Sequence, residues 1–230
     1  MAIAITKASS QIGATANVAA YSMTPVFLPA SSSLLVLAAH ASGTVVGSAG
    51  GAGNLTWTQI VAVNPQGAGS SLRVWDGDVA STPTSVALTV NYTGDNATGC
   101  TAAMVQITGQ EVGAAPRQTV SVASIGANPT ITFDPAVLSG NAVVVAVAMQ
   151  GAIGPFVVPA GWTTIASSYG TPTTGLVVAY NNAFAGTTFV FSTALTALAY
   201  GAAEYWYAGG MPLPSGNAVP LLAQSLWGAG

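Results

Sequence analysis

Charge is scarce in this chain, and its scarcity excludes several classes of protein. Only 4% of the 230 residues are charged, whereas an ordinary soluble domain has roughly 25%. The 3 Lys and Arg residues cannot build the basic stripe that neutralises nucleic-acid phosphates, so we expect no nucleic-acid partner. Intrinsic disorder is excluded too, because disordered chains combine low hydrophobicity with high net charge and this chain is 51% hydrophobic.

Cysteine and histidine each occur once, as Cys100 and His40. A single cysteine forms no intrachain disulfide. Because no cation is close to it in the sequence, we interpret Cys100 as a small buried hydrophobic residue. A lone histidine at the end of an apolar run indicates a structural role. Acid–base chemistry needs positioned titratable groups, so we predict no enzymatic activity, no catalytic residue and no cofactor.

Apolar runs long enough to span a membrane are also absent. A spanning helix needs about 20 mainly apolar residues, and the longest runs are LLVLAA (34–39) and AVVVAVAM (142–149). These short runs predict buried β-strands. The opening MAIAITK lacks a basic region before an apolar one, so we expect no signal peptide, synthesis in a host cytoplasm and no membrane partner.

An internal repeat organises what the chain does contain. Trp57 and Trp162 are 105 residues apart, and so are Trp75 and Tyr180. Three further pairs recur in the same order: FLPA (27–30) with FDPA (133–136), LLVLAAHASG (34–43) with AVVVAVAMQG (142–151), and AAMVQITG (102–109) with AAEYWYAG (202–209). Five landmarks in one order indicate a duplication. Its core landmarks are the aromatic residues Trp57, Trp75, Trp162 and Tyr180.

Short strand-like runs separated by Gly, Pro, Asn and Ser fill both copies, and this spacing is typical of a β-sandwich or barrel. We therefore predict an all-β fold of two tandem β-sandwich domains, jelly-roll or immunoglobulin-like. The predicted boundaries are 1–110 and 117–209 for the two sandwiches, 111–116 for the linker, and 210–230 for a C-terminal arm.

The second copy carries a recognisable motif, Pro159-Ala160-Gly161-Trp162-Thr163, followed by a strand ending in Ala179-Tyr180. This order resembles a β-sandwich repeat common in structural proteins of tailed bacteriophages. The first copy departs from it, since Gly-Asn-Leu-Thr precedes Trp57 and Trp75 replaces the tyrosine. The resemblance covers most of residues 20–209. It implies a fold and a virion setting, and such repeats occur in head-decorating, tail and fibre-like proteins.

Asp76-Gly77-Asp78, with Asp95 farther on, is the one carboxylate cluster of the sequence. Asp-Gly is a favoured hairpin pair, so we predict a turn here. Two alternatives stay open. Oxygen ligands at alternating positions can hold Ca²⁺, which makes Asp76, Asp78 and Asp95 weak metal candidates. A carboxylate pair can also flank a glycosidic bond.

Aromatic residues give the remaining candidates. We predict that Trp57 and Trp162 fill the cores of the sandwiches, the alternative being platforms on which a sugar ring stacks. Aromatic residues are enriched in protein interfaces, whose cores are poor in charge. The predicted subunit contact comprises Tyr205, Trp206 and Tyr207 with the tail residues Leu221, Leu222, Leu226 and Trp227.

The sequence thus leads to one expected function. We expect a non-enzymatic structural protein of a tailed-phage virion, most specifically a capsid decoration (cement) protein. It would assemble as a homo-oligomer and bind other virion proteins, above all the major capsid protein. The alternatives are a tail or fibre protein of the virion, and a carbohydrate-binding adhesin with a glycan ligand.

Overall fold

The structure, a computed structural model, describes residues 3–8, 12–42, 46–51, 55–64, 70–93, 97–124, 130–149, 157–168, 175–190 and 198–208. All regular secondary structure in these ranges is β, which confirms the predicted fold class. The same ranges contain no helix with the length and hydropathy needed to cross a membrane.

The strands are short and follow one another at close spacing. Those of the first half are β1 (Ala4–Lys7), β2 (Ile12–Val18), β3 (Ala20–Phe27), β4 (Leu34–Ser42), β5 (Val46–Gly51), β6 (Trp57–Val63), β7 (Ser70–Asp78), β8 (Val86–Thr93) and β9 (Ala97–Thr108). Those of the second half are β10 (Gln118–Ser124), β11 (Thr130–Thr132), β12 (Ala142–Met149), β13 (Thr163–Ser168), β14 (Gly175–Asn181), β15 (Thr188–Val190) and β16 (Leu198–Tyr205).

The two halves repeat the same antiparallel topology. The first central sheet has the order β1-β9-β4-β7-β6, with β2 also paired to β9, and the second has the order β10-β16-β12-β14-β13. Each central sheet is covered on one face by a smaller sheet, β3-β8-β5 in the first half and β11-β15 in the second. Matching strands occupy matching places, as expected from a duplication.

The two central sheets pack face to face, so the fold has four layers around three apolar cores. Alternate residues of each central strand point to opposite faces. In β4, Leu35 and Leu37 enter the outer core of the first half, while Leu34 and Val36 enter a central core. In β12, Val144 reaches the same central core, to which both halves contribute. The continuous apolar runs of β4 and β12 thus follow from burial on both faces.

The halves are therefore less separate than two tandem domains would be. β1 lies against β13, and β10 lies against β6. These two contacts are equivalent, because β10 is the counterpart of β1 and β13 is the counterpart of β6. Between these edges β4 packs on β14, and β12 packs on β7. Each half thus presents the same face to the other, the arrangement of an isologous dimer fused into one chain.

Glycine sets the distance between the two central sheets at one point. Gly201 of β16 faces Val61 of β6, and a Cβ atom built on Gly201 would lie 2.6 Å from the Val61 Cγ1 atom. That distance is shorter than van der Waals contact allows, so any larger residue at 201 would push the sheets apart.

The strand register revises two of the repeat landmarks. Leu35 pairs with Gln106 and its repeat counterpart Val143 pairs with Glu204, so AAEYWYAG is shifted by two residues against AAMVQITG. Val36 pairs with Asp76, and its repeat counterpart Val144 pairs with Tyr180. Tyr180 therefore stands at the place of Asp76, one residue away from the place of Trp75. Because a shift of one residue reverses the face, Trp75 enters the outer core of the first half while Tyr180 packs against the central core.

Candidate functional site

The Asp76-Gly77-Asp78 segment does not form the predicted turn. All three residues belong to β7, where Asp76 pairs with Val36 on one side and with Thr58 on the other. Pairing with two neighbouring strands fixes the segment in an extended form, so the turn prediction was wrong. Asp76 and Asp78 consequently project from the same face of the sheet.

A cavity of about 210 Å³ opens beside these two carboxylates. We call it the acidic cavity. One wall comes from the first central sheet and the other from the segment between β9 and β10, and its lining residues are Leu34, Thr58, Asp76, Asp78, Gly113, Ala114, Ala115 and Pro116. Thr58, Asp76 and Asp78 lie on the sheet wall together with Leu34, which pairs with Asp78, and the connecting segment contributes apolar side chains.

The carboxylates have different surroundings. Asp76 is only 8% exposed, and burial, followed by repulsion from Asp78, raises the pKa of its carboxyl group to about 6. Asp78 is exposed, and its Oδ1 atom accepts a long hydrogen bond from the backbone N–H of Gly113, at 3.4 Å. The cavity therefore has a buried acidic end and an open acidic rim.

Tyr205 carries a buried hydroxyl that is influenced by the charge of Asp76. This side chain is 2% exposed and belongs to the central core. Its hydroxyl has no hydrogen-bond partner among the described residues. Burial, followed by the charge of Asp76, raises the pKa of Tyr205 well above its ordinary value, so the hydroxyl keeps its proton and remains a potential donor.

The acidic cavity lacks the ligand set of a typical metal site. Calcium takes six to eight oxygen ligands, and the described ranges contain no group of three or more His, Cys, Asp or Glu side chains placed for a metal. Asp95, the third weak metal candidate, lies outside the described residues. What the arrangement offers chemically is a place for one positive charge.

A second acidic centre, around Glu204 of β16, is wholly structural. Its Oε2 atom accepts from Arg117 Nη1 and from Gln118 Nε2, both at 2.5 Å. Its Oε1 atom accepts from the Leu138 backbone N–H at 2.9 Å and from Asn141 Nδ2 at 2.6 Å. We call these five residues the Glu204 cluster. It joins the start of β10, the turn before β12 and the last strand.

Hydrogen bonding controls the charge of Glu204. Burial by itself raises the pKa of this carboxyl group, but bonds from Gln118, Leu138, Asn141 and Arg117 outweigh it, and the pKa lies below its ordinary value. Glu204 is thus an ionised, fully satisfied carboxylate in the interior. This role of Glu204 was not predicted from the sequence. The signal available was one Glu in an apolar strand of a chain with only 3 cations.

The predicted aromatic contact surface divides into three environments. Tyr205 lies inside the central core, so it cannot form a contact between subunits, and that part of the prediction was wrong. Trp206 is half-buried under the Arg117 guanidinium, 5.8 Å from its ring centroid. Tyr207 is half-buried against the central core and pairs with Gln110. The tail residues Leu221, Leu222, Leu226 and Trp227 lie outside the described residues.

The two repeat tryptophans pack inward. Trp162 is 8% exposed, and its ring centroid lies 4.2 Å from that of Phe189 in the outer core of the second half. Trp57 is half-buried and packs against the outer core of the first half. Burial leaves Trp162 without the open ring face that sugar stacking needs.

His40 and Cys100 are both fully buried. The Nδ1 atom of His40, on β4, lies 2.9 Å from the carbonyl oxygen of Gly175, on β14. Burial lowers the pKa of His40 to about 4, although the bond to Gly175 opposes this shift. Cys100 belongs to the outer core of the first half.

Comparisons of the chain with models of protein families, with curated proteins and with solved structures find no match.

Proposed function

We propose that this chain is a non-enzymatic structural protein of a tailed-phage virion, and specifically a capsid decoration protein that binds the shell as a homo-oligomer. The proposal combines the resemblance of the repeat, carried by Pro159–Thr163 and Tyr180, with the nature of the protein surface. It takes the major capsid protein as the main partner.

One observation carries the proposal: the folded surface exposes very little charge. Of the eight charged residues that the structure describes, only Lys7, Asp78 and Asp134 are exposed. Apolar side chains such as Leu28, Val112 and Val157 are exposed in the same ranges. Removing such a surface from water costs little desolvation of charge, as in the cores of protein interfaces. A lattice multiplies these weak contacts by presenting many sites at once.

The fused pair of sheets also suits a mechanical role. Titratable groups in the interior connect structural elements, as Glu204 and His40 do, and the central core joins both halves. Two halves that share a packed core transmit load without a change of conformation, because close-packed interiors are hardly compressible. A tail or fibre protein would benefit from the same rigidity, so position in the particle is the distinguishing observation.

The test is the composition and the density map of purified tailed-phage particles whose genome encodes this chain. A decoration protein is expected at hundreds of copies per particle, in register with the capsid lattice. A few copies at the tail would replace the capsid assignment by the tail or fibre alternative. Absence from particles, with the protein abundant in the infected cell, would overturn the virion proposal altogether.

A further inference from the structure

The acidic cavity has two unlike walls. On the sheet wall Asp76 and Asp78 project from the same face of β7, with Thr58 paired to Asp76 and Leu34 paired to Asp78 on the adjacent strands. On the opposite wall the segment 114–116 presents apolar side chains. At about 210 Å³, the space far exceeds the roughly 10–15 Å³ that a single water molecule needs. It is large enough for an extended side chain.

The buried end has hydrogen-bonding capacity that the described residues leave unused. More than nine-tenths of Asp76 is buried, and its own backbone N–H is the one donor that acts on its carboxylate among the described residues. The Tyr205 hydroxyl, whose pKa the charge of Asp76 helps to raise, is buried without a partner among the described residues. A buried carboxylate with so few donors is costly in free energy, and a positive charge beside it would remove that cost.

The cations of the chain are engaged or located elsewhere. Arg117 is bound to Glu204. Arg73 donates to the carbonyl oxygen of Val63 and to the side chain of Asn64. Lys7 is exposed on β1, at the opposite edge of the first central sheet from β6. None of the three lysine and arginine side chains of this sequence therefore supplies a positive charge to the cavity.

We propose that the acidic cavity receives the cationic side chain of a lysine or arginine presented by a partner protein. The ammonium or guanidinium group lies between Asp76 and Asp78, and the aliphatic stem lies along Leu34 and Pro116. Long basic side chains bury their stems on apolar surfaces in this way. A metal ion fits less well, because two carboxylates and one threonine supply too few oxygen ligands.

This inference stands apart from the virion proposal, since it concerns the chemistry of one cavity and holds for any partner that presents a basic side chain. Its failure would leave the virion proposal untouched. Conversely, absence of the protein from virions would leave the cavity's preference for a cation intact.

The test is a titration of the full chain with the blocked peptide acetyl-Ala-Lys-Ala-amide, followed by NMR. The matched probe replaces Lys with norleucine, which keeps the stem and removes the charge. We expect the Lys peptide to shift the signals of Asp76, Asp78 and Gly113 in a saturable manner. The norleucine peptide should bind at least about tenfold more weakly, because a desolvated charge pair is worth at least that factor.

Two variants and a control locate the binding. Asp76→Asn and Asp78→Asn should each weaken binding of the Lys peptide by about tenfold. Asp134→Asn, which removes an exposed carboxylate from the second half, should leave it unchanged. Circular dichroism and the melting temperature establish that each variant is folded.

The proposal would be overturned if the Lys and norleucine peptides bound equally well. It would also be overturned if the Asp76→Asn variant bound the Lys peptide as tightly as the parent protein does. Saturable binding of Ca²⁺ at the same signals with displacement of the Lys peptide would overturn it as well, because the cavity would then be a metal site.

Discussion

His40 and Gly175 are 135 residues apart in the chain, and a hydrogen bond of 2.9 Å joins them across the central core. A carbonyl oxygen can only accept, so the neutral imidazole carries its proton on Nδ1 and donates it to Gly175. The Nε2 atom is buried without a partner among the described residues. Protonation would therefore place both a charge and an unpaired donor between the two halves.

The first prediction concerns acid stability. The folded pKa of His40 is about 4, below the ordinary 6.5, so the unfolded chain binds a proton first as the pH falls. The free energy of unfolding should drop by about 3 kcal/mol between pH 6.5 and 4. Urea unfolding in an Asp76→Asn background measures this loss. Adding His40→Gln, which cannot titrate, should remove most of it and leave only the smaller contribution of Glu204 near pH 4. An unchanged slope in the double variant would contradict the assignment to His40.

The second prediction concerns Asp76, whose effect has the opposite sign. Its folded pKa is about 6, above the ordinary 3.8, so the folded state favours the protonated form and loses stability as the pH rises from 3.8 to 6. Asp76→Asn should therefore stabilise the protein at pH 7 by about 2 kcal/mol, since solvent at the cavity mouth screens part of the cost. The gain should vanish below pH 4. A gain that persists at pH 3.5 would show that charge is not its cause.

The third prediction concerns the Glu204 cluster. Glu204→Gln leaves the Arg117 charge without its partner in a largely buried place, and the expected loss of stability at pH 7 is about 3 kcal/mol. Because the folded pKa of Glu204 is lowered, the contribution of its charge is present above pH 4.5 and is lost as the pH falls through the folded pKa. The difference between parent and variant should therefore shrink in acid.

The duplication supplies a matched control for that experiment. By strand register Gln106 of β9, which pairs with Leu35, corresponds to Glu204, which pairs with Val143. The Oε1 atom of Gln106 accepts from the Ala30 backbone N–H at 2.9 Å. This bond is neutral, so Gln106→Ala should cost only about 1 kcal/mol and show no dependence on pH. A cost as large as that of Glu204→Gln would mean that the hydrogen bond to a backbone N–H, and not the charge of Glu204, supplies the stability in both halves.

The fold class was predictable because it depends on local patterns, whereas the relation between the halves depends on distant contacts. The runs at 34–39 and 142–149 indicate burial on both faces, and both strands are indeed covered on both. Nothing local shows that Val36 and Val144 share one core. The Trp75–Tyr180 spacing was misleading for the same reason. The number of residues between two repeats gives a position along the chain, but it does not determine on which face of the sheet a side chain lies.

The candidate site was predicted only in part. The sequence identified Asp76 and Asp78, but it assigned them to a turn because Asp-Gly is a strong local turn signal. Pairing of β7 with two neighbours outweighs that signal. The rest of the site comes from Gly113–Pro116, which the chain brings back to β7 after β8 and β9. Tyr205 was expected at the surface because it belongs to an aromatic run. The face of β16 that carries Tyr205 is instead covered by the first central sheet.

The fourth prediction tests the close approach of the two sheets. Gly201→Ala places a methyl group 2.6 Å from Val61, and this overpacking should cost roughly 1–3 kcal/mol of stability. Combining it with Val61→Ala should recover part of that loss, so the two substitutions are expected to couple. Gly175→Ala is the control, because its Cβ would lie 3.4 Å or more from its neighbours. Additive losses in the double variant would contradict the contact.

Hydrogen exchange tests directly whether the two halves share one central core. In moderate denaturant, the amides of β4 and β12 should lose protection together, with one free energy of opening, because neither central sheet keeps its buried face without the other. Gly201→Ala, in the second half, should lower the protection of β4 in the first half by the same amount as that of β12. Independent opening of the two strands, with β4 unaffected by the substitution, would show two separate domains and contradict a shared central core.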